Sequence, residues 1–566
     1  MIEKRNLLSD QLILLTKRTN SLMKDLSGLL LVILVAFLCF LPGLNSYGML
    51  DPTDSFFIEA AREMLVCKHY IITLFNYINW YEKPVLAQCL TVICYKVFGI
   101  SAGVGRLPAA LSGIILVIGT YFFSFRLLGK RAALLAAVIL CTSPLFVVVG
   151  HVALTDEVLS MLFGIAMLYI GLALSSGQKL SLWAYVFLAL AVLCKGPIAL
   201  ILAGGSSVLY LMIVSDSWIG AKDNILRMRP ITGVLIMLAI CLPYFIAAHR
   251  ETHGVFTEQF FLRQNFGRMQ GTVNHKEAIW YYVPIFFGGY FPWCLYLLLS
   301  FNWLKRLFAF RFKLSQRQKF IVFCFSWFVF VGLLFVLVPT KLYTYIVPFS
   351  PAIAIVTAAY LEALIVARSI KRLGENSKTR NIGSDILIIL PPLVSFIACM
   401  VSFFLFLIMK KASGSLLTVF CSGFLLAAIF SFRTCWLWHS GKYNKAMASL
   451  SLACFLACAI LVPSSFCWFY QAHQAIFNQA IAIVKEKNGQ VATLFSPVPS
   501  VIFALQHQVP NIESLPELSK YCQQGKGPHF LLASRNCLKM PELQAEKHTV
   551  ISGGKWYLLM VDGFPW

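Results

Sequence analysis

The sequence is short of charge. Only 13% of its 566 residues are Asp, Glu, Lys or Arg, about half the share in an ordinary soluble protein, while 59% are apolar or aromatic. That leaves too little polar surface to cover a soluble body of this size. A water-soluble enzyme, a disordered chain and a secreted disulfide scaffold are excluded together. Acidic residues are the scarcer sign, 24 against 47 Lys and Arg, for a net charge of +23. In a soluble protein such an excess suggests nucleic acid. Here the cations sit in short loops between apolar runs, as the positive-inside rule requires, and no nucleic-acid partner is expected. The 17 Cys contain no CxxC pair and no Cys/His cluster with zinc spacing. Most, such as Cys39, Cys141, Cys194, Cys324 and Cys399, lie inside apolar runs as small apolar residues. Cys522 and Cys537 lie in a polar C-terminal segment, where an oxidising compartment would allow them to pair. There is no Gly-rich nucleotide loop, which argues against a nucleotide-powered pump and against a nucleotide-sugar donor. No small-residue cleavage site follows the first apolar run, only Leu-Pro-Gly-Leu-Asn at 41–45, so that run reads as an uncleaved anchor. No internal repeat or low-complexity tract is seen.

What the chain has is apolar runs of spanning length, at 26–44, 104–125, 131–150, 157–175, 180–194, 196–214, 230–248, 279–301, 319–338, 344–366, 384–409, 415–432 and 446–466. They predict an all-α polytopic membrane protein of about thirteen helices. The run 86–98 is too short to cross, carries Lys96, and reads as a helix lying at the interface. With the N-terminus cytoplasmic and sides alternating, the cytoplasmic segments hold 26 Lys and Arg, the opposite face 13 and the C-terminal segment 8. The cytoplasmic segments carry 8 Asp and Glu and the outer ones, fewer and mostly short, carry 10, so the acidic residues favour the outside. Residues 1–466 then form a transmembrane domain with two large outer loops, 45–103 and 249–278. Residues 467–566 form an outer soluble domain. Its strand-like runs Val491–Phe495, Phe530–Ala533 and Trp556–Val561 alternate with helix-like runs Ala475–Lys487 and Ser500–Gln506, the pattern of a small α/β fold.

The outer face gathers ionisable residues at helix ends, where charge is costly and therefore a pointer to function. Asp51, Asp54, Glu59, Arg62 and Glu63 begin the first loop. Tyr81, Glu82, Lys83 and Pro84 precede the interfacial helix. Asp156 and Glu157 open a spanning helix. Lys195 and Lys341 each stand alone between two spans, and Arg263 and Arg268 lie in the later loop. Each has a plainer alternative. A lone Lys can be a snorkelling anchor, Asp156 a helix cap that favours the dipole, Arg62 and Glu63 a solvated face, and Tyr81 or Tyr345 part of an aromatic belt. The repeated combination of separated cations, carboxylates and aromatic rings suits a phosphate on a lipid, with a sugar and a base beside it. His249 and His253 are spaced for one helix face but lack the zinc-protease order, and no metal is expected there.

In order along residues 26–360 stand Asp-Pro-Thr-Asp-Ser-Phe-Phe (51–57), Ile-Glu-Ala-Ala-Arg-Glu-Met-Leu (58–65), Tyr-Glu-Lys-Pro (81–84), Gly-His-Val-Ala-Leu-Thr-Asp (150–156), Lys-Gly (195–196), Phe-Gly-Arg-Met (266–269), Ile-Trp-Tyr-Tyr-Val-Pro (279–284) and Lys-Leu-Tyr-Thr-Tyr-Ile-Val-Pro (341–348). The set resembles the GT-C membrane glycosyltransferases, in the branch of bacterial protein O-mannosyltransferases and lipid A aminoarabinose transferases. The resemblance implies a sugar taken from polyprenyl (undecaprenyl) phosphate on the periplasmic side of the inner membrane. It implies that Lys83, Lys195, Arg268 and Lys341 surround the donor phosphate, that Asp54, Asp156 or Asp51 acts as catalytic carboxylate, and that Tyr81, Glu82, Arg62 and Tyr345 line the cavity. The family's Asp-Glu pair falls on Thr53-Asp54, so the base position is shifted. Its later acidic-His pair meets Asn265, with His275 nearby, so no metal cofactor is expected. The acceptor reads as lipid A, with protein or another envelope glycan as the alternative. From a different class, a polyprenyl-lipid flippase remains open, although charges at one face and the lack of repeated halves disfavour a transporter. A monomer in the bilayer is expected.

Overall fold

The computed structural model describes residues 26–267, 276–374, 389–398, 400–401, 414–522, 528–534, 549–553 and 556–561. Arg268, His275, Cys399 and Cys537, named above from the sequence, lie outside these residues. The chain begins with helix α1 (Leu26–Phe40). The first loop then holds helix α2 (Thr53–Val66), a hairpin of strands β1 (Thr73–Phe75) and β2 (Ile78–Trp80), and helix α3 (Leu86–Phe98). Helices α4 (Ala102–Leu128), α5 (Lys130–Cys141), α6 (Pro144–Gly150), α7 (Thr155–Ser176), α8 (Trp183–Lys195), α9 (Ile198–Val214), α10 (Trp218–Arg227) and α11 (Pro230–Glu251) follow. Gly99, Gly129 and Gly177 end or separate them with left-handed φ angles, as glycine alone does without strain.

Among the described residues seven helices are long and apolar enough to cross a membrane, or nine if each of two bent pairs counts as one span. The thirteen expected runs each overlap an apolar helix or bent pair, but α8 and α9 are shorter than a full crossing, and of the run 384–409 only residues 389–398 and 400–401 are described. The number of crossings therefore rests on the charge pattern.

Helix α7 is the centre of the bundle. Of its most apolar window 89% is buried, against 17% for the helix running Trp218–Glu251, which faces outward to lipid. It packs on α4, α8 and the helix Gln316–Leu337. Close approach to that last helix depends on Gly171, where a Cβ would come within 2.7 Å of the Phe323 ring. The ends of the bundle sort as alternation demands. At one end the first loop meets the later loop (His69 to Glu251, 2.5 Å), and Glu277 N–H donates to Pro339 O at 3.2 Å. At the other, Leu180 N–H donates to Arg227 O at 3.0 Å and Arg317 pairs with Glu362. Segments assigned to one face by charge thus lie together.

The last spanning helix runs on to His473, seven residues past the expected end, with a π-turn at Ala457–Leu461. Beyond it lie helices Ala475–Glu486 and Pro499–Leu505 and a five-stranded sheet. Strands β3 (Gln490–Leu494), β4 (Asn511–Ile512), β5 (His529–Ser534), β6 (Thr549–Gly553) and β7 (Trp556–Met560) lie in the order β4-β3-β5-β7-β6. β3 pairs parallel with β4 and β5, and β7 pairs antiparallel with β5 and β6. The five expected elements of this domain are all present. Three more were not expected: the short helix Leu515–Cys522, β4, an edge strand of two residues, and β6, which is broken by a register shift.

Candidate active site

Helix α7 starts after a tight turn in which Leu154 N–H donates to Val152 O at 2.7 Å, and this sets Asp156 in the first helical turn. A carboxylate there is favoured by the helix dipole. Helix α8 ends at Lys195, because Gly196 at φ 99° and Pro197 stop it and start α9. The two ends meet, and Lys195 pairs with Asp156. The Lys195 ammonium also lies 4.7 Å from the centroid of the Tyr345 ring. Lys83, in the bend between the hairpin and Pro84, places its ammonium 4.5 Å over the Phe57 ring. It is close enough to act electrostatically on Asp156, and the Thr344 hydroxyl also faces that carboxylate.

Lys83, Asp156, Lys195 and Tyr345 line one cavity of about 330 Å³. Its polar end is Glu82, Lys83, Asp156, Lys195, Gln264 and Thr340. Its walls are apolar, Ile198, Ile201 and Leu202 of α9 facing Leu334, Phe335 and Val338, with Phe260 and Tyr345 between. Spacings of i, i+3 and i+4 put each wall on one helix face. A charged pocket thus opens into a hydrocarbon-lined groove.

The structure brings together Lys83, Lys195, Asp156, Glu82 and Tyr345, and it sets the other candidates elsewhere. Lys341 is 3% exposed and gives its ammonium to backbone, to Val338 O at 2.7 Å and Glu277 O at 3.3 Å, so it closes the C-terminal end of the helix Gln316–Leu337. Tyr81 packs on Ile72, Ala248, Phe256 and Phe260, behind the cavity wall. Asp54 is buried against Arg106 (2.5 Å) and accepts N–H bonds from Ala153 (2.7 Å) and Leu50 (3.2 Å). With every lone-pair direction engaged it has no route to a substrate proton, and it does not line the cavity. Asp51 accepts from the Ser55 hydroxyl at 2.6 Å and from Ser500 N–H at 3.0 Å, which fastens the first loop to the C-terminal domain. Arg62 is not on a solvated face or in the cavity. It is 2% exposed and bonds the Glu59 carboxylate twice, at 2.5 and 2.7 Å. Arg106 was missed in the sequence, though an Arg inside an apolar run is itself the signal. His249 contacts Thr257, not His253, and among the described residues no three His, Cys, Asp or Glu side chains converge as metal ligands would.

Beside Arg62, burial pushes the Glu63 carboxyl up to about 8, and the neighbouring Glu59 adds to it, while the Tyr77 N–H opposes the rise. Burial likewise lifts Asp51 to about 6. Both folded carboxyls hold a proton that the unfolded chain releases near its ordinary value. The stability each gives is complete below that ordinary value and is lost as pH rises through the folded one. The thermal midpoint of the detergent-solubilised protein is therefore expected to fall by several degrees from about pH 5 to about pH 8.5. Glu63→Gln should flatten the upper half of that curve. A midpoint that rises with pH over this interval would contradict the assignment.

The fold has counterparts among solved structures. It is similar to two solved structures of ArnT from Cupriavidus metallidurans. The one bound to undecaprenyl phosphate matches with a TM-score of 0.74 at 19% identity, covering 94% of this chain and 97% of that one. The apo form matches with a TM-score of 0.75 at 17% identity, covering 95% and 98%. Residues 82–246 match the family described as dolichyl-phosphate-mannose-protein mannosyltransferase. In sequence the chain is 27% identical over 370 residues to an undecaprenyl phosphate-α-4-amino-4-deoxy-L-arabinose arabinosyl transferase of Edwardsiella ictaluri, covering 64% of this chain and 63% of that protein. It is 26% identical over 337 residues to an uncharacterised protein of Aquifex aeolicus, covering 59% and 64%. The aligned region thus spans less than two thirds of these relatives' own length.

Proposed function

We propose that the protein transfers a sugar from undecaprenyl phosphate to lipid A at the periplasmic face of the bacterial inner membrane. The observation that carries this reading is the joining of two unlike surfaces in one cavity. Two lysines and two carboxylates stand at one end, and apolar helix faces continue from them. A polyprenyl phosphate has that division of chemistry. The relatives named as undecaprenyl phosphate-aminoarabinose arabinosyl transferases support the same donor.

In the reaction the sugar C1–O bond breaks and its electron pair leaves with the phosphate, which passes from diester to monoester and gains negative charge. Lys83 and Lys195 would bind that charge more tightly as it grows, and such differential binding lowers the barrier. A phosphate of lipid A is already an anion and attacks C1 without a base. Asp156 then holds Lys195 in place, and Glu82 is left to orient the sugar. A hydroxyl acceptor would have to give its proton to Asp156 or Glu82, since Asp54 and Asp51 lie outside the cavity. Two lysines supply the positive charge, so we read the step as independent of metal. We read the protein as acting as a monomer.

The test is transfer by purified protein in detergent from an undecaprenyl-phosphate-linked 4-amino-4-deoxyarabinose to lipid A, read by the mass of the product. Transfer is expected to survive EDTA. Product on a protein acceptor but not on lipid A would move the reading to protein glycosylation. No product on either would overturn it.

A further inference from the structure

The segment that carries Glu82 and Lys83 into the cavity is fastened from outside it. Strands β1 and β2 are joined by Asn76 and Tyr77, both with left-handed backbone (φ 54° and 61°), and Phe75 pairs with Ile78 across the turn. Two such residues make the turn that hairpins favour. Asparagine tolerates this conformation; a tyrosine there is strained by about 1 kcal/mol, so contacts must hold it.

The C-terminal domain provides them. The Asn76 amide donates to Val509 O at 2.8 Å and accepts from Val509 N–H at 2.9 Å, so one side chain satisfies both backbone groups as a paired strand would. The Tyr77 hydroxyl donates to Gln506 O at 2.7 Å and accepts from Arg62 at 2.9 Å. The Tyr77 N–H donates to the Glu63 carboxylate at 2.8 Å. Beyond the turn, Trp80 packs on Phe56 and Phe57 with ring centroids 4.7 and 6.3 Å apart, and Phe57 is the ring beneath Lys83. Among the described residues, none of the C-terminal domain lines the cavity.

We propose that the C-terminal domain acts on the reaction at a distance, gripping the 76–77 turn through Val509 and Gln506 and so fixing Lys83 against the leaving phosphate. Asn76 and Tyr77 are then positioning residues. The proposal rests on the transferase reading for its consequence, and on contacts alone for the grip. Binding of the donor depends chiefly on the groove and Lys195, whereas the charge that develops later depends on where Lys83 stands. Loosening the turn should therefore lower kcat more than it raises KM.

Asn76→Gly keeps the left-handed backbone and removes both bonds to Val509. Asn76→Asp keeps only the one accepted from Val509 N–H. In hydrogen–deuterium exchange on the full chain in detergent, amides of residues 78–83 should exchange about tenfold faster in Asn76→Gly, with Asn76→Asp between, while α7 is unchanged. In the transfer assay kcat should fall about tenfold, with the donor KM within about twofold. Unchanged exchange at 78–83 overturns the grip. A raised donor KM with kcat intact overturns the positioning role. If wild type makes no product, the transferase reading fails and exchange still decides the grip. Should Asn76→Gly not fold, Tyr77→Phe, which loses only the hydroxyl bonds, is read in the same two ways.

Discussion

Replacing Lys195 by alanine is expected to lower the rate of transfer by at least about 100-fold, the loss that follows removal of one preorganised contact to a developing charge. Lys195 is the last residue of α8, so its backbone is fixed by the helix, and its ammonium is steered by Asp156 and the Tyr345 ring. Little reorganisation is left to make at the moment of reaction. Lys83→Ala should cost a similar factor. The double variant should lose less than the product of the two, because both ammonium groups would serve one phosphate. Lys195→Ala also strands Asp156, 4% exposed, without its cation, so a stability loss must be separated from a chemical one. In Lys195→Ala with Asp156→Asn the carboxylate charge is gone. That pair should recover much of the wild-type melting temperature while staying inactive, and its affinity for undecaprenyl phosphate should remain about tenfold weaker, a loss of roughly 1.4 kcal/mol. If Lys195→Ala keeps half the wild-type rate, the phosphate role is wrong.

The part of this site that sequence reveals is charge at helix ends. Asp156 after a turn and Lys195 before Gly-Pro are conspicuous because apolar runs surround them, and Lys83 because Pro follows it. The apolar half of the cavity is not legible in the same way. Ile198, Ile201 and Leu202 face the groove while Met212 of the same helix is exposed, yet every face of such a helix is apolar and the usual 3.6-residue contrast is lost. Direction is the second thing sequence withholds. Lys341 has the same surroundings on paper as Lys195, but it follows the helix Gln316–Leu337 closely enough to bond a carbonyl at that helix's end. That geometry depends on how the chain turns after Val338. Helix positions were readable from Gly and Pro punctuation. Strand order in the C-terminal domain was not, because pairing of β3 with both β4 and β5 is set by crossovers that alternation does not encode.

Asp54 separates a catalytic from a structural reading most sharply, through its partner. Arg106 is 0% exposed and donates to Asp54, to Leu44 O (2.7 Å), to Tyr47 O (3.2 Å) and to Gly48 O (2.7 Å), with its guanidinium 3.9 Å over the Tyr47 ring. Asp54 in turn holds Ala153 N–H, three residues before Asp156. The pair therefore ties the connector after α1, the start of α2, the start of α4 and the turn before α7 into one knot behind the cavity. Arg106→Met leaves a buried carboxylate and three backbone carbonyls without their donor. Breaking a buried pair from one side costs about 3–5 kcal/mol, so the variant is expected to melt far below wild type or to fail to accumulate. Asp54→Asn should also be destabilised, because an amide group would face the guanidinium. A catalytic base predicts the reverse, a variant that melts as wild type does and makes no product. Removing both partners, as in Arg106→Met with Asp54→Leu, should recover part of the lost stability, since a buried pair is often replaceable by apolar groups of similar volume. Transfer by that double variant, even at a reduced rate, would place the chemistry with the residues that line the cavity. A fully stable, fully inactive Asp54→Asn would return Asp54 to the centre of the reaction.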